Sequence, residues 1–347
     1  MDRKNFLSSF IPLAASFSAI AKGKQNADKN FPIFDEDKTG KIPPYLKRGD
    51  VIGIACPSGY ITIEDVQPAV DKIKEWGFEI RIGDTVGVRD FTFAGSDEQR
   101  TKDFQNMIDD NSIQAIMLGR GGYGVVRIID AIDFKNFPKH PKWIIGFSDA
   151  TIFHSHINKN FGIATIHSKM CNSFPSDWNN ATQEQIDSID SIRKCLIGDK
   201  MQYSALTNTF NKTGTAEGIL VGGNLSILEN LAASKSDIDT DGKILFIEEV
   251  EEYLYNIDRM LWNLKRSGKF DKLKALIAGG FNNIKADDPG EDFGKTVYEM
   301  ILEKVKEYNY PVCFDFPVGH QKENYALKCG VKHRFNVSDY SVTLKEI

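Results

Sequence analysis

The sequence predicts an α/β protein of two domains, and three observations carry that expectation. Its 347 residues, 41% hydrophobic and 26% charged, are enough for two packed cores at ordinary domain size. Short continuous apolar runs at 50–55, 78–82, 115–118 and 143–145 alternate with stretches of helical period, as in a doubly wound parallel sheet covered on both faces. A second series of apolar runs, at 218–221, 243–247, 275–278 and 311–314, follows a stretch over 172–213 that is rich in Asn, Ser, Asp and Thr.

Taken in order, the chain opens with Arg3 and Lys4 before an apolar, small-residue run over 6–21 that ends in Ala19-Ile20-Ala21. A basic start, a short apolar run and a small-residue ending are the pattern of a cleaved signal peptide, so residues 1–21 predict export, to the periplasm, with a cytoplasmic protein as the alternative. The run includes Pro12 and falls short of the ~20 apolar residues that span a bilayer, so stable membrane insertion is not expected. Residues 22–44 are polar and aperiodic and predict a linker.

The first domain, 45–165, starts with the strand 50–55, a turn at Pro57-Ser58-Gly59 and a helix marked by Val66, Val70 and Ile73. The strand 78–82 leads to a helix over 96–109, opened by Ser96 with Gln99 three residues on, the pattern of a capping box. Strands 115–118 and 143–145 and a helix over 151–158 complete it. Residues 166–213, with one helical stretch near 186–196, predict the interdomain crossing. Residues 214–347 predict a mixed α/β domain that ends in strands at 335–337 and 341–344.

Composition narrows the function. Forty-three Lys and Arg against 48 Asp and Glu give a net charge of −5, without the basic excess of a nucleic-acid binder. The five cysteines are dispersed with no CxxC, and the six histidines hold no spacing such as HExxH, so no metal is expected.

Two glycine-rich or elbow-like turns could carry chemistry. Gly119-Arg120-Gly121-Gly122-Tyr123-Gly124 follows a strand and satisfies GxGxxG. Its exposed amides could face a pyrophosphate, with Asp149 as a ribose acid, or an oxyanion, or it could be only a tight turn. Gly146-Phe147-Ser148-Asp149-Ala150 joins a strand to a helix with small residues two places either side of Ser148, the form of a nucleophile elbow. The bland reading is that Ser148 and Asp149 cap the helix.

A serine nucleophile needs a base. His154 and His156, two apart on one helix, face away from each other, so at most one is expected to be buried. His140 sits in a charged loop, and His333 lies between Lys332 and Arg334 on what reads as a solvated turn. His320, after Gly319 beyond a strand end, is the best-placed imidazole, and His167 is held in reserve. Glu248 and Glu249 end an apolar strand, and Glu248 could orient His320, although Glu251 and Glu252 also allow a solvated acidic loop. Side-chain alternation lets only one of the pair, Glu248 or Glu249, face a given imidazole.

With these residues in hand, the chain resembles the LD-carboxypeptidase, or muramoyltetrapeptide carboxypeptidase, family, which includes the microcin C immunity hydrolases. The resemblance rests on Phe93 to Arg100, the Gly119 to Gly124 turn, Gly146-Phe147-Ser148-Asp149, Gly222-Gly223-Asn224-Leu225, Phe246 to Glu249 with Ile257 to Leu261, and Gly319-His320. It implies a flavodoxin-like first domain, a swivelling-type second domain, a homodimer, and a metal-free triad of Ser148, Glu248 and His320. It also implies that the amides of Asp149, Gly121 and Gly122 form the oxyanion hole, which retires the nucleotide reading of the glycine turn and leaves no cofactor expected.

The implied reaction is release of the terminal D-alanine from a murein tetrapeptide, with Arg120, Asn224 and Arg259 as substrate-binding candidates. The rivals are a microcin-type hydrolase of a peptidyl-nucleotide analogue, a non-catalytic ligand-binding protein and a nicotinamide oxidoreductase. Where many members read His-Gly-Pro-Met the chain has His167-Ser168-Lys169-Met170, and Leu-Pro-x-Gly becomes Leu327-Lys328-Cys329-Gly330. Both departures are expected beside the substrate channel.

Overall fold

The computed structural model describes residues 40–286 and 292–347. The expected signal peptide and most of the expected linker lie outside these residues.

The first sheet is built from β1 (Val51–Ala55), β2 (Glu79–Ile82), β3 (Ile113–Leu118), β4 (Trp143–Gly146) and β5 (Thr165–His167), all parallel in the order β2-β1-β3-β4-β5. This is the flavodoxin-like order, in which the chain reverses direction of winding between β1 and β3 and opens a crevice at their carboxyl ends. Helices α1 (Ile63–Glu75), α2 (Asp97–Asp109), α3 (Val125–Ile128) and α4 (Thr151–Phe161) connect the strands. As the sequence predicts, Ser96 and Gln99 close a reciprocal capping box at the start of α2. The helix expected over 151–158 runs on to Phe161 and ends at Gly162.

The crossing expected over 166–213 is more structured than its composition implies. It contains the fifteen-residue helix α5 (Gln183–Ile197), whose Ile189, Ile192, Cys195 and Leu196 are buried, and strand β6 (Gln202–Ala205).

The second domain adds β7 (Gly214–Asn224), α6 (Leu225–Asn230), β8 (Ile244–Val250), α7 (Leu254–Arg266), β9 (Ala275–Asn282), α8 (Val297–Val305) and β10 (Val312–Cys313). The chain ends with β11 (Leu327–Cys329), β12 (Lys332–Val337) and β13 (Val342–Glu346). Six of these strands join β6 in a mixed sheet of order β10-β9-β8-β7-β12-β13-β6, in which β7 to β10 are parallel and the rest antiparallel. β11 leaves that domain and pairs antiparallel with β5, so residues inside 214–347 complete the first sheet.

Apolar residues of β7, β8 and β9 pack against α6, α7 and α8 on one face, while α2, α3 and α4 cover one face of the first sheet. A third core, which includes Ile145 and Ile166 of the first sheet, Phe246 and Ile277 of the second and Ile189 and Ile192 of α5, is continuous across both sheets. Apolar burial of this extent ties the domains together, because it is the largest favourable contribution to folding. The carboxyl ends of β4, β8 and β10 are thereby held near one another.

Candidate active site

Ser148 stands one residue beyond the end of β4 and has a φ of 61°. A non-glycine residue in that region costs about 1–3 kcal/mol and persists only where its surroundings enforce it. Here Ala150 fits against Gly146, where a Cβ on Gly146 would stand 3.0 Å from that of Ala150. His154 fixes the strand end from the first turn of α4: its Nε2 meets the Gly146 carbonyl at 2.9 Å and its Nδ1 meets Thr165 Oγ1 at 2.9 Å. Burial pushes the His154 pKa down to about 4, so it is a neutral buttress of the elbow.

The Asp149 side chain is buried and binds the neighbouring loops to the elbow. Its Oδ2 accepts from Ser58 Oγ at 2.5 Å and from the Val125 amide at 2.8 Å, joining the loop after β1, the start of α3 and the start of α4. Burial raises its pKa, and these hydrogen bonds act in the opposite sense. Its side chain is therefore committed to structure, while its backbone amide faces no acceptor among the described residues.

The glycine turn closes the other side. A Cβ on Gly121 would lie 3.2 Å from Ser148 Oγ, so the absence of a side chain lets the turn abut the hydroxyl. The Gly121 carbonyl accepts from the Gly59 amide at 3.2 Å, while the Gly121 and Gly122 amides meet no acceptor among the described residues. Unspent amides on two turns beside one hydroxyl can stabilise an oxyanion.

Glu248 and His320 come together from β8 and the loop after β10. Glu248 Oε2 accepts from His320 Nδ1 at 2.6 Å and from the His320 amide at 3.1 Å. A carboxylate on Nδ1 fixes the tautomer that leaves a lone pair on Nε2. Gly319 makes the approach possible: its φ is 100°, and a Cβ there would fall 2.5 Å from that of Glu248. Asn324 Oδ1 accepts from the Gly319 amide and Asn282 Nδ2 donates to the His320 carbonyl, so the loop is held on both sides.

The His320 ring lies 4.7 Å from the ring of Phe147, the residue before Ser148, but makes no hydrogen bond to Ser148 Oγ. Burial pushes the His320 pKa down, yet the hydrogen bond and charge of Glu248, followed by the charge of Glu249, outweigh it and the net shift is upward.

Glu249 points the other way. It is buried and accepts from Asn224 Nδ2 at 2.8 Å, the Ser226 amide at 2.7 Å and the Val250 amide at 2.9 Å. Burial raises its pKa. The solvated acidic loop that the sequence allowed is not what forms at Glu248 and Glu249. Asn224 itself caps α6, so its side chain is spent on Glu249 and on the helix start.

The other expected residues are spread more widely. Arg120 is exposed and donates to the Tyr60 carbonyl, and Arg259 is exposed on α7 and paired with Asn256 and the Tyr255 ring. Neither lines the pocket beside His320. His167 is fully buried between Phe147 and Phe246, its ring nitrogens meet no hydrogen-bond partner among the described residues, and burial holds its pKa far below the usual range.

Three expectations about histidine and lysine are corrected. His154 and His156 are both buried, because His156 reaches Ser236 of the second domain at 2.8 Å. His333 is buried in β12, bonded to the Val331 carbonyl, and its pKa is pushed down to about 4. Lys328 lies in β11, away from the pocket, and its ammonium is buried against Glu346 at 3.0 Å. Lys169, the other departure, does line the pocket, with Phe147, Ile189, His320, Gln321 and the exposed Lys322, around about 390 Å³.

A doubly wound sheet with a strained serine at one strand end, joined to a mixed sheet that supplies a histidine–carboxylate pair, defines a hydrolase of the serine type. The chain belongs to the LD-carboxypeptidase family: the family's N-terminal domain model matches residues 52–168 and its C-terminal domain model residues 217–335. It is 30% identical over 311 residues to the probable murein peptide carboxypeptidase of Bacillus subtilis (strain 168), covering 87% of this chain and 94% of that protein. It is 24% identical over 336 residues to the microcin C7 self-immunity protein MccF of Escherichia coli, covering 87% and 94%. The crystal structure of muramoyltetrapeptide carboxypeptidase from Oxalobacter formigenes superposes with a TM-score of 0.74 at 27% identity, covering 85% of this chain and 98% of that one. The family resemblance carried by the sequence motifs is thus borne out, and the chain is a hydrolase of the carboxypeptidase type.

Proposed function

We propose that the protein removes the terminal D-alanine from murein tetrapeptides, by a triad of Ser148, His320 and Glu248. The observation that carries this reading is the 2.6 Å Glu248–His320 bond, set beside a strained serine and unspent amides. Ser148 Oγ attacks the carbonyl of the diamino acid's L-centre while His320 Nε2 takes its proton. The charge that develops on the carbonyl oxygen falls to the amides of Asp149, Gly121 and Gly122. His320 then protonates the leaving amine, and water repeats the sequence to free the enzyme. The Ser148–His320 hydrogen bond forms in this reading when substrate closes the gap, as is common in sites without a ligand.

The direct test is mass spectrometry of purified protein with tetrapeptides ending in L-Lys-D-Ala or meso-diaminopimelyl-D-Ala. Release of D-alanine supports the reading. Turnover of an acylated sulfamoyl nucleotide in place of both peptides would favour the microcin-type reading, and absence of labelling at Ser148 by a reactive-serine probe would favour a ligand-binding protein.

The reaction carries a pH dependence of defined sign. His320 must be neutral to accept a proton, and its pKa lies above the ordinary histidine value because Glu248 outweighs the effect of burial. kcat/KM should therefore rise with pH through a midpoint above about 6.5, and Glu248→Gln should move that midpoint down. A midpoint that the substitution leaves in place would count against the pairing.

The reading includes export and a homodimer. Cleavage after Ala21 would leave Lys22 at the N-terminus, so intact mass of the native protein should be that of residues 22–347. A full-length mass on a cytosolic product would defeat the export proposal and leave the catalytic one standing. A monomeric mass by sedimentation would likewise remove the dimer alone.

A further inference from the structure

We propose that Lys169 is the specificity-determining cation of the active-site pocket and binds the free terminal carboxylate of the residue that leaves. The inference rests on the carboxypeptidase reading above and names a substrate contact within it.

Lys169 follows β5 in the short loop His167-Ser168-Lys169-Met170 and lines the same pocket as His320. Its Nζ donates to the carbonyl of Gln321, the residue after His320, at 2.7 Å. An ammonium has three N–H donors, and Lys169 spends only this one on the described residues. Other lysines with buried side chains are satisfied differently: Lys304 pairs with Asp258, Lys328 with Glu346, and Lys142 gives bonds to the carbonyls of Asp110 and Ile113. Lys169 has no carboxylate partner among the described residues. Burial pushes its pKa down to about 8, which still leaves it mostly charged at neutral pH. A half-desolvated cation without a counter-ion is a prepared site for an anion.

Chemistry identifies the anion. His320 must deliver a proton to the leaving nitrogen, and in a carboxypeptidase substrate the terminal carboxylate sits on the carbon bonded to that nitrogen. A group that binds this carboxylate therefore has to stand beside His320. Lys169, bonded to the next residue's carbonyl, does so, whereas Arg120 turns its guanidinium to the Tyr60 carbonyl and Arg259 turns its own to Asn256. The same cation also reads the end of the chain: a substrate that continues beyond the scissile residue brings a neutral amide to it.

The test compares each tetrapeptide with its C-terminal carboxamide, carrying L-Lys or meso-diaminopimelate at the third position. Wild-type protein should favour the free acid in kcat/KM by about 10²-fold. Lys169→Met should remove most of that ratio by slowing the acid, and Lys169→Arg should restore part of it. An equal fall on acid and amide would mean a structural role and overturn the proposal. So would a loss that follows diaminopimelate regardless of the terminus, or a ratio that collapses in Lys322→Met, the exposed lysine that lines the same pocket, but persists in Lys169→Met.

Should wild-type protein turn over no tetrapeptide at all, the proposed reaction falls and Lys169 is judged by binding. N-acetyl-D-alanine should then perturb the NMR spectrum of Ser148→Ala at lower concentration than its amide, and Lys169→Met in that background should abolish the difference. Equal titration of acid and amide would overturn it.

Discussion

Ser148→Ala and His320→Ala are each expected to lower kcat by roughly 10⁴-fold or more, and the double variant should fall little further. The two groups act on one proton: without Ser148 there is no nucleophile to deprotonate, and without His320 the hydroxyl stays a weak one. Residual activity should persist in both, because the proposed oxyanion donors, the unspent amides of Gly121, Gly122 and Asp149, are left in place. The measurement is steady-state kcat for D-alanine release, with the circular dichroism of each variant checked against wild type. Losses that add, so that the double variant is about 10⁸-fold slower, would show that the residues do not work as a unit. Ser148→Ala carries a further consequence for stability. Serine and alanine both have a Cβ, so the strain at a φ of 61° is not relieved, and the variant should melt close to wild type.

How much of this was legible in the sequence follows the range of the interactions involved. Local signals are legible. The capping box of Ser96 and Gln99, the apolar parallel strands and the small residues flanking Ser148 all act within a few residues of one another. Pairings distant in sequence were not legible. β11 joins β5 across about 160 residues, and nothing in Leu327-Lys328-Cys329 says which sheet will receive it.

The burial of His333 is hidden for a related reason. Lys332 and Arg334 suggest a solvated turn, but on a strand they point together to one face, where both meet Glu217, and His333 between them points inward. Burial of His156 depends on Ser236, which lies in the other domain. The two departures from the family pattern looked equivalent in sequence, and only the sheet topology separates them. Lys328 is carried on β11 to Glu346, while Lys169 is left in the loop beside His320. The signal for Lys169 was present as a cation where a neutral residue is usual, but without tertiary structure it could not be assigned a partner.

Glu248→Gln should cut kcat by ~10²-fold to 10⁴-fold with little change in fold, whereas Glu249→Gln should leave kcat near wild type and lower stability. The difference is one of facing. Consecutive side chains at the end of β8 point to opposite sides: Glu248 meets His320, and Glu249 turns to the amides of Ser226 and Val250 and the side chain of Asn224. At position 248 glutamine keeps the shape and an oxygen for Nδ1–H but not the charge that stabilises the imidazolium. At position 249 the buried carboxylate accepts three hydrogen bonds, and a carboxamide has only one oxygen with which to replace two. A buried donor left unpaired costs about 1–3 kcal/mol, so Glu249→Gln should lower the melting temperature, which a residue of a solvated acidic loop would not do. Asn224 caps α6 with the same side chain that bonds Glu249, so the loss should appear first as fraying of α6 in hydrogen exchange. Kinetics and thermal unfolding of both variants separate the two roles. If Glu249→Gln proves the inactive variant and Glu248→Gln the active one, the assignment of the triad acid fails.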